Sequence, residues 1–126
     1  MNTKIPHRSA CAYIRSSATG AQLRLSLLVQ ARRIAAFCAA DYHILTCTVV
    51  DADTAGEQPE LERLLDRATS PERPYDQIIV SSASRLSRDP VKVRHIEDRL
   101  AAANVSLIML ETVAPAATAP MVAEIL

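Results

Sequence analysis

A chain of 126 residues, 49% of them hydrophobic, is long enough for one domain with its own core and too short for two. Its formal net charge is zero, with 14 Lys and Arg against 14 Asp and Glu, which excludes the strongly basic kind of nucleic-acid binder. The balance is uneven: residues 1–50 hold six Lys or Arg against one acid and residues 51–126 eight against thirteen, so a locally basic face is still open to it.

In chain order, residues 9–14 are a short apolar run that ends in a polar turn, the length of a buried strand. From Gln22 to about Ala40, Leu23, Leu27, Ile34, Ala35 and Phe37 recur near helical spacing among arginines, which predicts a helix after a loose loop around Gly20. Residues 43–50 form a second strand rich in Ile, Leu, Thr and Val, and residues 51–58 read as an exposed loop. Pro59 suits a first helical position, and Leu61, Leu64, Leu65 and Ala68 line one face of a helix ending near Ser70-Pro71. A third strand is expected over residues 77–81, followed by a loop carrying Arg85 and Arg88. Asp89 and Pro90 supply an N-cap and first-turn proline to a helix that stops at Asn104. Residues 105–110 are a fourth apolar run. After an Ala/Pro tail, Met121, Val122, Ile125 and Leu126 begin a helical pattern where the sequence stops, as expected of a fragment of a longer chain.

Strands alternating with helices at this spacing predict an α/β fold of three layers, a mostly parallel central sheet with helices on both faces. In such sheets ligands bind at the carboxyl ends of the strands. Ser17, residues 51–58, Arg85 and Arg88 all fall in loops at those ends.

Several chemistries are disfavoured at once. Cys11, Cys38 and Cys47 sit in apolar stretches without Cys-x-x-Cys spacing and read as buried thiols, while His7, His43 and His95 are scattered, so no metal site is expected. No apolar run approaches the roughly 20 residues of a membrane span, and the first eight residues lack a secretory apolar segment, so a cytoplasmic location away from membranes is expected. Glycine-rich phosphate cradles are absent too, because Gly20 and Gly56 are the only glycines. A bound phosphate must then be held by side chains, and arginine suits this because its planar fork makes paired charge-assisted hydrogen bonds. Arg15, Arg85 and Arg88 are the candidates, with Ser17 as a nucleophile whose developing anion they would stabilise. The plainer alternative is that Arg15 and Arg88 pair with the acids of residues 51–66 or with Asp89 on the surface. Tyr13 is expected to be packed rather than catalytic.

Tyr13-Ile-Arg-Ser-Ser17, Gln30, the loop ending in Gly56-Glu-Gln-Pro-Glu-Leu61 and Ser84-Arg-Leu-Ser-Arg88 stand in an order and spacing that resembles the serine recombinases, the resolvase and invertase group. The resemblance covers residues 9–126. It implies that Ser17 attacks a DNA phosphodiester to leave a 5′-phosphoserine linkage, that Arg15, Arg85 and Arg88 bind and activate the phosphate, and that Gln30 helps to order the site. It also implies a reversible transfer that conserves bond energy and needs neither ATP nor metal, so no cofactor is expected. The implied partners are DNA and further copies of the chain, a dimer and then a synaptic tetramer, assembled through a long helix and a DNA-binding domain that these residues lack.

Two positions depart from the family pattern: Gln58 stands where an arginine is usual, and Ser84 where an aspartate is. They carry a second reading, a recombinase-like domain with an impaired site that serves assembly or regulation. A third, an unrelated α/β protein binding a phosphoester or small anion, would leave four ordered motifs as coincidence.

Overall fold

The fold was taken from a computed structural model, which describes residues 8–52 and 56–111. Four strands, β1 (Arg8–Arg15), β2 (His43–Asp51), β3 (Gln77–Ser82) and β4 (Ser106–Glu111), form one sheet in the order β2-β1-β3-β4, and every neighbouring pair is parallel. The connecting helices are α1 (Gly20–Ala40), α2 (Pro59–Ala68) and α3 (Pro90–Ala102). Because parallel crossovers are right-handed, the direction of each step along the sheet decides which face its helix covers. The step from β1 to β2 runs one way, and the steps to β3 and β4 run the other. Accordingly α1 packs Ile34 and Cys38 against Ala10, Ala12, Ile14 and Ile79, while α2 and α3 pack Leu61, Leu64, Leu65, Ile96 and Leu100 against Cys11, Tyr13, Ile78 and Val80. The three-layer α/β arrangement expected from the sequence is the one observed.

Element ends differ in instructive ways. The first helix begins at Gly20 rather than Gln22, with Leu23 N–H bonding the Thr19 carbonyl, and Gly20 enters it at φ +61°, which an L-residue adopts only at a cost of about 1–2 kcal/mol. The second helix stops at Ala68 rather than near Ser70-Pro71. There the hydroxyls of Thr69 and Ser70 take the carbonyls of Leu65 and Arg67, satisfying acceptors that another turn would have used. At the end of α3, Asn104 takes φ +63° and Val105 N–H returns to the Leu100 carbonyl, the left-handed stop its residue type suggested. Asp89 caps α3 as expected, its carboxylate accepting from Val91 N–H at 3.0 Å. The apolar segment at residues 121–126, the tail before it and His7 lie outside the described residues.

One irregularity sets the environment of two cysteines. The β1/β2 register shifts between Ala10 and Cys11, which pair with Leu45 and Cys47, so Thr46 is an extra residue whose hydroxyl bonds the Ala10 carbonyl. Leu45 therefore packs on the α1 side, whereas Cys47 and Val49 pack on the α2/α3 side. Cys47 Sγ lies 2.7 Å from Cys11 Sγ and 3.4 Å from the Tyr75 hydroxyl. All three cysteines are free thiols, with Cys11 and Cys38 buried and Cys47 half-buried. Burial first, and the hydrogen bond from Cys47 second, push the Cys11 thiol well above its ordinary pKa. Since the thiolate is the reactive form, iodoacetamide at about pH 8 should leave Cys11 unmodified in the folded protein and modify it fully in urea, as read by peptide mass spectrometry.

Candidate active site at the carboxyl ends of β1 and β3

The winding of the sheet reverses between β1 and β3, the place where open α/β sheets bind ligands. Arg15 ends β1, Ser17 follows in an exposed loop, and Arg85 closes a single 3₁₀ turn, Ala83–Arg85, directly after β3. The topology thus brings together residues 70 apart in sequence: Arg85 Nη1 donates to the Arg15 carbonyl at 3.1 Å.

Arg15 is held by its backbone. Gln30, buried on α1, accepts from Arg15 N–H at 3.1 Å through Oε1 and donates to the Arg15 carbonyl at 2.8 Å through Nε2. Nε2 also lies 3.3 Å from the carbonyl and the hydroxyl of Ser26, one helical turn earlier. A glutamine whose amide brackets both polar groups of one residue fixes the end of the strand without a charge. The side chain of Arg15 is then free to point elsewhere.

The guanidinium groups carry the most informative feature. Arg15 Nε and Arg85 Nε are both buried, and neither has a hydrogen-bond partner among the described residues. A buried donor on a cation left without a protein acceptor is costly, so both Nε–H groups are available to an acceptor from outside the chain, water or a bound anion. Arg88 and Ser84 stand differently. Both line an open groove of about 910 Å³ with Ala83, Ser87, Val91 and His95, on the α3 side of the same loop. Ser84 also shares a 3.0 Å hydrogen bond with the Ser82 hydroxyl.

Behind the arginines lies a buried polar network, centred on the Asp51 carboxylate, that local sequence pattern barely signals. Asp51, expected at the start of an exposed loop, is instead buried at the end of β2, 3% exposed. Its carboxylate accepts from Glu60 N–H at 3.0 Å and Leu61 N–H at 2.9 Å, capping α2 from eight residues before the helix begins, and from the Tyr13 hydroxyl at 2.8 Å. Tyr13 is packed, as expected, and its hydroxyl also accepts from Gln58 Nε2 at 3.1 Å. Burial raises the pKa of the phenol, and the Gln58 hydrogen bond only partly offsets this, so Tyr13 stays protonated and donates to Asp51. Gln58 Nε2 reaches the Arg85 carbonyl as well, at 3.1 Å. The one sequence signal for this network was strand alternation, which puts Tyr13 on the same side as Arg15. Among the described residues no group of His, Cys, Asp and Glu is arranged to hold a metal ion, and no helix is long and apolar enough to cross a membrane.

The chain matches one family model and superposes on several solved structures. The family model described as the resolvase N-terminal domain matches residues 10–126. A resolvase family site-specific recombinase from Streptococcus pneumoniae has a similar structure, with TM-score 0.75 and 19% identity over 94% of this chain and 82% of that one. The N-terminal catalytic domain of TP901-1 integrase superposes with TM-score 0.72 and 23% identity, over 82% of this chain and 78% of its own. The C-terminal catalytic domain of ISC1926 TnpA, an IS607-like serine recombinase, gives 0.71 and 17%, over 92% and 76%. At these identities the likeness shows the fold. Among curated proteins no sequence matches.

Proposed function

The chain belongs to the resolvase family, and from that premise we propose that it is the catalytic domain of a site-specific serine recombinase, in which Ser17 cuts and rejoins DNA. In the first step Ser17 Oγ forms a bond to a backbone phosphorus while the bond from phosphorus to the 3′ oxygen breaks. The serine proton ends on the released 3′-hydroxyl, and the protein is left joined to the 5′ end as a phosphoserine. One ester replaces another, so the reverse attack by a 3′-hydroxyl on the phosphoserine rejoins a strand with little net change in bond energy.

The observation that carries this reading is the pair of unpartnered, buried Nε donors on Arg15 and Arg85, at the sheet's switch point and next to the exposed Ser17. Two such forks can donate to the non-bridging oxygens of a phosphate and stabilise the charge that grows on them in a pentacovalent transition state. Arg88, on the exposed side of the same loop, adds a third cation where the DNA backbone would pass. Gln30 orders the site through Arg15 rather than touching the phosphate. DNA and further copies of the chain are the partners in this reading, with the grip on DNA supplied by segments outside the catalytic domain.

The test is to incubate the full gene product with DNA containing a candidate crossover site and trap protein bound to a 5′ end. Wild-type protein should form that linkage and Ser17→Ala should form none. A folded, DNA-bound wild-type protein that never becomes linked would sink this reading and leave a recombinase-like scaffold with a retired site.

A further inference from the structure

We infer that Gln58, a neutral amide where the family pattern has an arginine, is a positioning residue that holds Arg85 in register for phosphate; this rests on the function proposed above. Gln58 is not occupied with capping its own helix. It stands at the N-cap position of α2 and yet makes no side-chain cap, because Asp51 reaches across from β2 to accept the N–H groups of Glu60 and Leu61. The carboxamide is thereby released from the usual work of that position. Its NH₂ group instead spans two elements, donating to the Tyr13 hydroxyl on β1 and to the Arg85 carbonyl at the end of β3, each at 3.1 Å.

Arg85 depends on supports outside its own short segment. The 3₁₀ turn that carries Arg85 is one turn long and has little rigidity of its own. Its head is tethered by Nη1 to the Arg15 carbonyl, and its backbone by Gln58. The bonds close a ring, Tyr13 to Gln58, Gln58 to Arg85, Arg85 to Arg15 and back along β1 to Tyr13, with Asp51 anchoring the Tyr13 hydroxyl from outside it. A ring whose members each have a partner resists the small rotations that would swing the unpartnered Arg85 Nε away from an anion. A leucine or methionine at 58 would fill the same space and leave the ring open. The family's arginine adds a charge at this point, whereas this chain has geometry in its place.

Inorganic phosphate is the probe, its binding followed by the NMR signals of the Arg15 and Arg85 Nε–H groups in the 126-residue chain. Gln58→Met should weaken phosphate binding about tenfold when Arg85 is present, the loss expected of one hydrogen bond to a charged site, and by less than ~twofold in an Arg85→Ala background. Gln58→Leu, which likewise loses the donors and adds no charge, gives the same pattern and serves if the methionine variant does not fold. Equal losses in both backgrounds would mark a merely structural residue and overturn the inference, as would unchanged affinity or a wild-type chain that binds no phosphate. Cleavage is read in parallel: if the phosphate cycle holds while wild type never links to DNA, the positioning stands and the recombinase reading falls.

Discussion

Arg85→Ala should lower the rate constant for Ser17 linkage to DNA by about 10²- to 10³-fold, the usual loss for one donor aimed at developing charge. The protein should still fold, because Arg85 is half-buried and its one hydrogen bond from the side chain goes to a carbonyl that Gln30 also holds. The more discriminating variant is Arg85→Lys. A lysine keeps the charge on a compact ammonium, but it has no fork that can bond the Arg15 carbonyl with one nitrogen while presenting another to phosphate. Since Nη1 is already committed and Nε is the unpartnered donor, the lysine must leave one of the two tasks undone. Its rate should therefore lie within about tenfold of the alanine variant rather than near wild type. Single-turnover cleavage with saturating DNA reads this directly, since it separates the chemical step from binding. A lysine variant at wild-type rate would mean that charge alone matters and that the orientation of the unpartnered Nε groups has no role.

What the sequence made legible follows from range. Strand β3 was visible as an apolar run because a parallel strand buried on both faces needs apolar residues on each, and β2, an edge strand exposed at every second residue, was visible by its β-branched content. The stops of α3 were visible because Asp89 and Asn104 act on backbone within a few residues of themselves. The arginines and Ser17 were visible because strand ends in a parallel sheet converge on one edge whatever the detailed packing. The hidden parts depend on partners far apart in the chain. Asp51 caps α2 from eight residues before the helix begins, across a polar stretch that reads as solvated loop, and nothing in the sequence of residues 51–58 marks its carboxylate as buried and that of Glu57 as exposed. Gln58 read as the absence of an arginine, a loss, because its two acceptors lie 45 and 27 residues away. The pairing of Cys11 with Cys47 depends on the extra residue Thr46, which no local pattern announces.

Asp51→Ala should destabilise the protein by about 3–5 kcal/mol, a large share of the roughly 5–15 kcal/mol that holds a domain together. Three separate losses combine. The first turn of α2 loses the acceptor for two N–H groups, which for a side-chain cap costs about 0.5–2 kcal/mol. The Tyr13 hydroxyl, on a residue with no exposed surface, loses the acceptor for its proton, and a buried donor without a partner costs a further ~1–3 kcal/mol. The third is the space left at a position only 3% exposed. Asp51→Asn separates these contributions. Its one carbonyl oxygen can still cap α2, but its NH₂ would face a phenol oxygen that already accepts from Gln58, leaving two donors aimed at one hydroxyl whose own proton has nowhere to go. About half of the alanine cost should remain, and the phosphate site should be disturbed along with the fold, because Tyr13 is the anchor from which Gln58 reaches Arg85. Urea unfolding of both variants measures the first effect. An alanine variant within about 1 kcal/mol of wild type would show that α2 starts without its distant cap, and that the ring behind Arg85 does not depend on Asp51.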